Sequence, residues 1–302
     1  MSLEQVLDPA SAGNLHRVAN GRALPGTPRS ETVVPGLLTE SVASSRWRPD
    51  FRNLARRWTA IAVFLASWEI LPRLGLVNPT FFPPVSQVAE YLARSLLAGD
   101  LEKHILISLS RSVAGFSLAL SFALPMGFLL GWFKTFERYV DPLIQVFRQT
   151  SAFALFPLFI LVLGIGEVSK IAIIFYGAQW PILLNTISGV KNVDPLLVKS
   201  ARSLGLGRFD LFRKIILPAA LPAIFTGLRL AATFSILIIV SAEMMGASAG
   251  LGWVLTNSQY NFDILRMYSA IVLLALIGLG TNFCLVRLEK RLTGWKPEIT
   301  TF

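Results

Sequence analysis

Lys199-Ser-Ala-Arg-Ser-Leu-Gly-Leu-Gly-Arg-Phe-Asp-Leu-Phe-Arg-Lys-Ile-Ile-Leu-Pro218 is a basic, amphipathic stretch with one key glycine, Gly205. It lies between two apolar runs, each long enough to cross a bilayer. A charged helix–turn–helix between membrane spans must lie in water. Asp194-Pro195 sets its start, because Asp caps a helix and Pro suits the first helical position. Leu197, Ala201 and Leu204 make one apolar face at i, i+4, i+7, and Lys199 and Arg202 fall on the other side. Gly205 is the left-handed stop, and a second short helix over about 208–216 leads to Leu217-Pro218. Such a shape suits docking to another protein.

Working outward, the rest of the chain is membrane-like. Of 302 residues, 53% are apolar and 15% charged, against about 25% charged in soluble domains. Mean hydropathy is +0.58. The net charge of +10 does not point to nucleic acid, because the cations cluster beside the apolar runs, as the positive-inside rule predicts. Cys284 is the single cysteine and reads as a small apolar residue. No internal disulfide or cysteine metal cluster is possible. His16 and His104 sit in unrelated settings, so no metal site is expected.

Residues 1–57 are expected to form a cytoplasmic extension, largely disordered or peripheral, with no cleavable leader. Arg46, Arg48, Arg52, Arg56 and Arg57 hold it inside. Six transmembrane helices are predicted within 58–292, at about 58–76, 105–133, 140–163, 168–190, 220–244 and 267–287. The coupling loop covers 191–217 and a cytoplasmic tail covers 293–302. Glu69 and Arg73 can pair, and segment 85–98 reads as a short outer helix. Gly127 and Gly131 permit close helix packing, and Pro125 is expected to kink the second span. Lys134 to Arg138 form a basic inner turn, and Gly164-Ile165-Gly166-Glu167 a tight outer hairpin. The loop at 191–217 holds six cations and two carboxylates, and Arg287-Leu-Glu-Lys-Arg291 is basic again. Both termini are therefore expected inside, in an all-α polytopic membrane protein.

The loop resembles the "EAA" loop of permeases that serve ABC importers: E-A-A, three residues, G, nine residues, I, one residue, L-P. Lys199-Ser200-Ala201, Gly205, Ile215 and Leu217-Pro218 keep that spacing, with Lys-Ser-Ala in place of Glu-Ala-Ala. Over about 58–297, Gly-Leu-Val-Asn-Pro (75–79), Asp-Pro-Leu (141–143), Leu-Gly-Ile-Gly (163–166) and Leu-Pro-Ala-Ala-Leu-Pro (217–222) look like the nitrate/sulfonate/taurine/bicarbonate branch. Thr-Gly-Leu-Arg-Leu-Ala (226–231), Ala-Glu-Met (242–244) and Glu289-Lys-Arg-Leu before Trp295 do too. The resemblance implies a type I, MetI-like importer fold in the bacterial inner membrane. It implies a second copy of the permease, two cytoplasmic ATPases and an external solute-binding protein. The ATPase contact would fall on Lys199, Ser200, Ala201, Arg202, Leu204, Gly205, Phe209, Ile215, Leu217 and Pro218.

No Gly-x4-Gly-Lys-Ser/Thr phosphate loop occurs in the sequence, so ATP and Mg are expected on the partner ATPase, with no cofactor or catalytic residue in this chain. Polar residues within spans are the candidates for a solute path. These are Arg148, Gln149, Thr150 and Ser151 with Phe153, then Gln179, Trp180 and Asn185, and finally Arg229 and Glu243. Arg229 can equally snorkel or pair, and Glu243 can cap a helix or gate. A cationic path would suit an oxyanion such as nitrate, a sulfonate, taurine or bicarbonate. The rival is a secondary transporter or channel, which would need more intramembrane carboxylates than Glu69 and Glu243.

Overall fold

The strongest packing signal in the bundle is a ladder of small residues. Gly115, Ala119, Ala123, Gly127 and Gly131 recur every fourth residue on one helix. A Cβ at Gly115 would stand 2.5 Å from Ile174 Cβ, at Gly127 2.6 Å from Thr186 Cβ, and at Gly131 2.7 Å from Val190 Cβ. Two helices therefore touch almost backbone to backbone along their length. These are α3 (Glu102–Trp132) and α6 (Glu167–Lys191). The computed structural model describes residues 51–293, with side chains from residue 59 onward. The expectations for the N-terminal extension up to residue 50, and for the tail from residue 294 including Trp295, lie outside the described residues.

Contacts divide the chain into two units, Met1–Leu54 and Ala55–Phe302. All described elements of the second unit are helical: α1 (Phe51–Arg73, which enters from the first unit), α2 (Val85–Leu97), α3, α4 (Lys134–Gln149), α5 (Ala152–Leu163), α6, α7 (Pro195–Ser203), α8 (Arg208–Leu211), α9 (Leu217–Gly246), α10 (Leu251–Tyr260) and α11 (Ile264–Leu292). A π-helical turn, Phe212–Ile216, joins α8 to α9. The core lies along α3, α6 and α9, where Ala119, Ala123, Ala178, Ile182 and Ala231 are buried. Leu, Ile and Phe side chains elsewhere on the helices are exposed, as a lipid-facing surface requires.

Among the described residues, four helices are long and apolar enough to cross a membrane, or five if the bent α4–α5 pair is one span. The first expected span, 58–76, falls on α1, which is not among them. Arg57 and Glu69 leave only eleven uncharged residues between them. Glu69 and Arg73 do pair, at 2.5 Å, and Glu69 also accepts from the Ser86 amide and hydroxyl at the start of α2. α3 continues as one helix through Pro125.

The predicted third span, 140–163, needs correction. It is two helices, α4 beginning at Lys134, bent by 93°. Thr150 and Ser151 are extended, with ψ of 123° and 125°. Short hydroxylated side chains compete with the helical ladder, and the Thr150 hydroxyl donates back to the Val146 carbonyl at 3.2 Å. Tyr176 from α6 donates to the Phe147 carbonyl at 2.6 Å, which also accepts from the Thr150 amide at 3.1 Å, so the end of α4 is tied to α6.

Candidate functional site

The break between α4 and α5 opens a cavity of about 540 Å³ against α6 and α9, within the usual 300–1,000 Å³ range for small-molecule sites. Arg148, Gln149, Thr150, Ser151 and Phe153 line it from the break, and Trp180 and Asn185 from α6. Tyr176 also lines it, as do Leu230, Phe234 and Leu237 of α9. At 1.5 Å per residue, Tyr176 and Asn185 lie about 14 and 27 Å along an α6 about 37 Å long, so the cavity sits at mid-depth.

Its chemistry is one-sided. No described carboxylate lines it. The Arg148 Nε donates to Gln145 Oε1 at 2.8 Å, and Gln145 in turn donates to Asp141 at 3.3 Å. No described carboxylate forms an ion pair with Arg148. The buried Trp180 Nε1 has no acceptor among the described residues. The first turn of α5, capped by no side chain, adds unpaired amides beside them. A cation and spare donors face apolar walls.

Three expected path residues are elsewhere. Gln179 is buried, one helical step round α6 from Trp180, and does not line the cavity. Arg229 pairs with Glu289 of α11 at 3.0 Å. Glu243 is 1% exposed and belongs to a second centre near the start of α6. There its carboxylate accepts from Arg111 Nη1 at 2.8 Å, Ser108 Oγ at 2.7 Å and the Gly252 amide at 3.0 Å. Arg111 also donates to Glu167 at 2.5 Å and to the Ala249 carbonyl at 2.8 Å. Ser108 Oγ accepts from the Leu251 amide at 2.8 Å, and His104 Nδ1 from the Gly250 amide at 3.1 Å. This centre fastens the α9–α10 turn to α3 and α6. Sequence reading missed Arg111, although an arginine inside an apolar run is itself a signal. Tyr176 gave none.

The loop at 191–217 forms as its caps dictate. Asp194 accepts from the Leu196 amide at 2.8 Å. Gly205, at φ +77°, closes a Schellman turn: its amide bonds to the Arg202 carbonyl at 3.0 Å and that of Leu206 to the Ala201 carbonyl at 3.2 Å. The second helix does not stop before Leu217-Pro218 but runs into α9 as one helical stretch, Arg208–Gly246. Ala201, Leu211 and Ile216 pack on Val190, Ala220 and Ile224 of the bundle. Leu196, Leu197, Leu204 and Phe209 are exposed, so the predicted apolar face is split between the bundle and the outside. Lys199, Ser200 and Arg202 are exposed beside them, and Ile215, Leu217 and Pro218 are half-buried.

A polytopic helical bundle with a mid-depth cavity and a projecting helix–glycine–helix loop defines a membrane transport subunit. The chain belongs to the binding-protein-dependent transport system inner membrane component family, whose profile matches residues 123–294. Relatives include the putative aliphatic sulfonates transport permease of Bacillus subtilis, 36% identical, covering 78% of this chain and 85% of that protein. The taurine transport system permease of Escherichia coli is 32% identical, covering 87% of this chain and 98% of its own. The nitrate import permease of Synechococcus elongatus is 30% identical, covering 86% and 95%. Among solved structures, a chain of the inward-facing MetNI methionine ABC transporter superposes with a TM-score of 0.58 at 21% identity, covering 64% of this chain and 96% of that one; the shared fold is the type I, MetI-like permease.

Proposed function

We propose that this chain, as a pair, forms the path of an ATP-driven importer for a small anion, working with two cytoplasmic ATPases and an external solute-binding protein, with both its termini cytoplasmic. The observation that carries the anion is Arg148: a cation at mid-depth, lining a cavity and paired with no described carboxylate. Charge inside a membrane is costly unless a partner or water compensates it. Arg111 and Arg229 have their carboxylates within the protein, and Arg148 would meet its anion in the solute. The relatives are permeases for aliphatic sulfonates, taurine and nitrate, all of which carry an oxyanion group. ATP and Mg would act on the partner, and α7–α8 would carry the motion inward. As the ATPases close, the loops approach and the spans rock between inward- and outward-facing states.

The test is co-purification followed by uptake. The tagged chain should bring down two ATPase subunits, and the complex in vesicles with its binding protein should take up a sulfonate or nitrate only with ATP. Arg148→Ala should keep complex yield and cut uptake at least tenfold. Uptake by the lone chain would establish the secondary-transporter reading instead, and unimpaired Arg148→Ala uptake would remove Arg148 from the path.

A further inference from the structure

A second groove, of about 460 Å³, runs along the last two turns of α3 and reaches α8. Pro125, Phe128, Leu129, Trp132 and Phe133 form one side, and Phe209 and Phe212 the other, with Arg208 the single charged residue among those described. Its floor is aromatic: Phe212 meets Phe128 at 5.2 Å and Trp132 at 5.9 Å, both edge-on. Phe133 and Phe209 are 52% and 74% exposed at its rim.

Position decides what fills it. Phe133, the C-cap of α3, lies eight steps beyond Pro125, so the groove extends about 12 Å into the span from its basic end. A soluble partner cannot follow it there; an acyl chain can. At the mouth, Arg208 is exposed and has no described carboxylate as ion-pair partner, since Asp210 is taken by Lys214 at 3.4 Å. Exposed Lys134 directly follows Phe133 in sequence. An apolar slot within the membrane and cations at its opening match the two ends of one molecule.

We infer that this groove is a binding site for an anionic phospholipid, its acyl chain between Phe128, Trp132 and Phe209 and its phosphate on Arg208. Zwitterionic lipid would fit the slot but lose the excess charge that Arg208 and Lys134 attract. The bound lipid would bridge α3 and α8, and so steady the seat of the loop. This inference does not depend on the solute; Phe209 is also an expected ATPase contact, so the lipid is tested on the full chain without its ATPase.

The full chain is reconstituted in phosphatidylcholine carrying a fraction of brominated phosphatidylglycerol or brominated phosphatidylcholine. Quenching of Trp132 is taken as wild type minus Trp132→Phe, which isolates it from the other tryptophans. The expected result is a preference of about fivefold for brominated phosphatidylglycerol, the worth of one cation near an anionic surface. The preference falls to parity in Arg208→Gln and is retained in Arg208→Lys. Size-exclusion profiles matching wild type confirm that each variant is folded. Equal quenching by both lipids would reduce the groove to ordinary lipid contact. Absence of quenching would mean that protein, such as a second copy, covers it. A preference that survives Arg208→Gln would remove the phosphate from Arg208. Each of these three outcomes overturns the inference.

Discussion

A carboxylate buried within a membrane bundle is tolerable only when cations and donors surround it. Glu243 meets that condition through Arg111, Ser108 and the Gly252 amide. The glycines are part of the fit, because any Cβ at Gly250, where φ is +123°, would collide with the Glu243 carboxylate. Removing one member of such a pair costs more than removing both, since the survivor keeps its desolvation penalty. Arg111→Met should therefore destabilise the protein by about 3–5 kcal/mol, and the double variant Arg111→Met/Glu243→Leu should recover part of that loss. Thermal unfolding in detergent reads both. A single variant as stable as wild type would show that the centre contributes nothing, and a double variant worse than the single would show that Glu243 is satisfied without Arg111.

At the scale of elements, α7 and α8 are legible in sequence while the α4–α5 break is not. Asp194-Pro195 and Gly205 are local signals: cap, first position and left-handed stop each act within a few residues. The break is different. Arg148-Gln-Thr-Ser151 are polar but flanked by apolar residues, so the composition of 140–163 as a whole also suits a straight span, and the bend is supported by Tyr176 from another helix. For the same reason Arg229 and Glu243 could be named from sequence but not placed, since their partners Glu289 and Arg111 lie 60 and 132 residues away. Gly205 supplies the test at this scale. A side chain there would meet nothing within 4 Å, but φ is +77°, which costs an L-residue about 1–2 kcal/mol and a β-branched one more. Gly205→Val should leave the bundle folded and the ATPases bound while lowering solute moved per ATP hydrolysed. By contrast, Gly115→Val would drive its side chain into Ile174 and lower the yield of folded protein. Substrate-stimulated uptake by Gly205→Val equal to wild type would dismiss the loop's geometry as a requirement for coupling.

For the whole molecule, the cavity is half a path. Arg148 is exposed in the single chain, and Phe153 beside it is 47% exposed. Lipid tails against a guanidinium without a carboxylate would leave its charge uncompensated, so another protein surface should close the cavity, and a second copy about a two-fold axis would do so with the same residues facing each other. The chain is convenient for a direct test because Cys284 is its one cysteine and is exposed. In a Cys284→Ser background, Phe153→Cys should be joined to its counterpart by a bifunctional maleimide long enough to span the cavity, giving a band of twice the chain's mass. A cysteine at Phe64, exposed on α1 away from the break, should not cross-link under the same conditions. Cross-linking should also weaken when a transported sulfonate and ATP drive the paired chains through their cycle, because rocking of the spans changes the width of the path between the two cysteines. If Phe153→Cys stays monomeric while Phe64→Cys is joined, the copies meet through α1, and the cavity at Arg148 opens to lipid or to a different subunit.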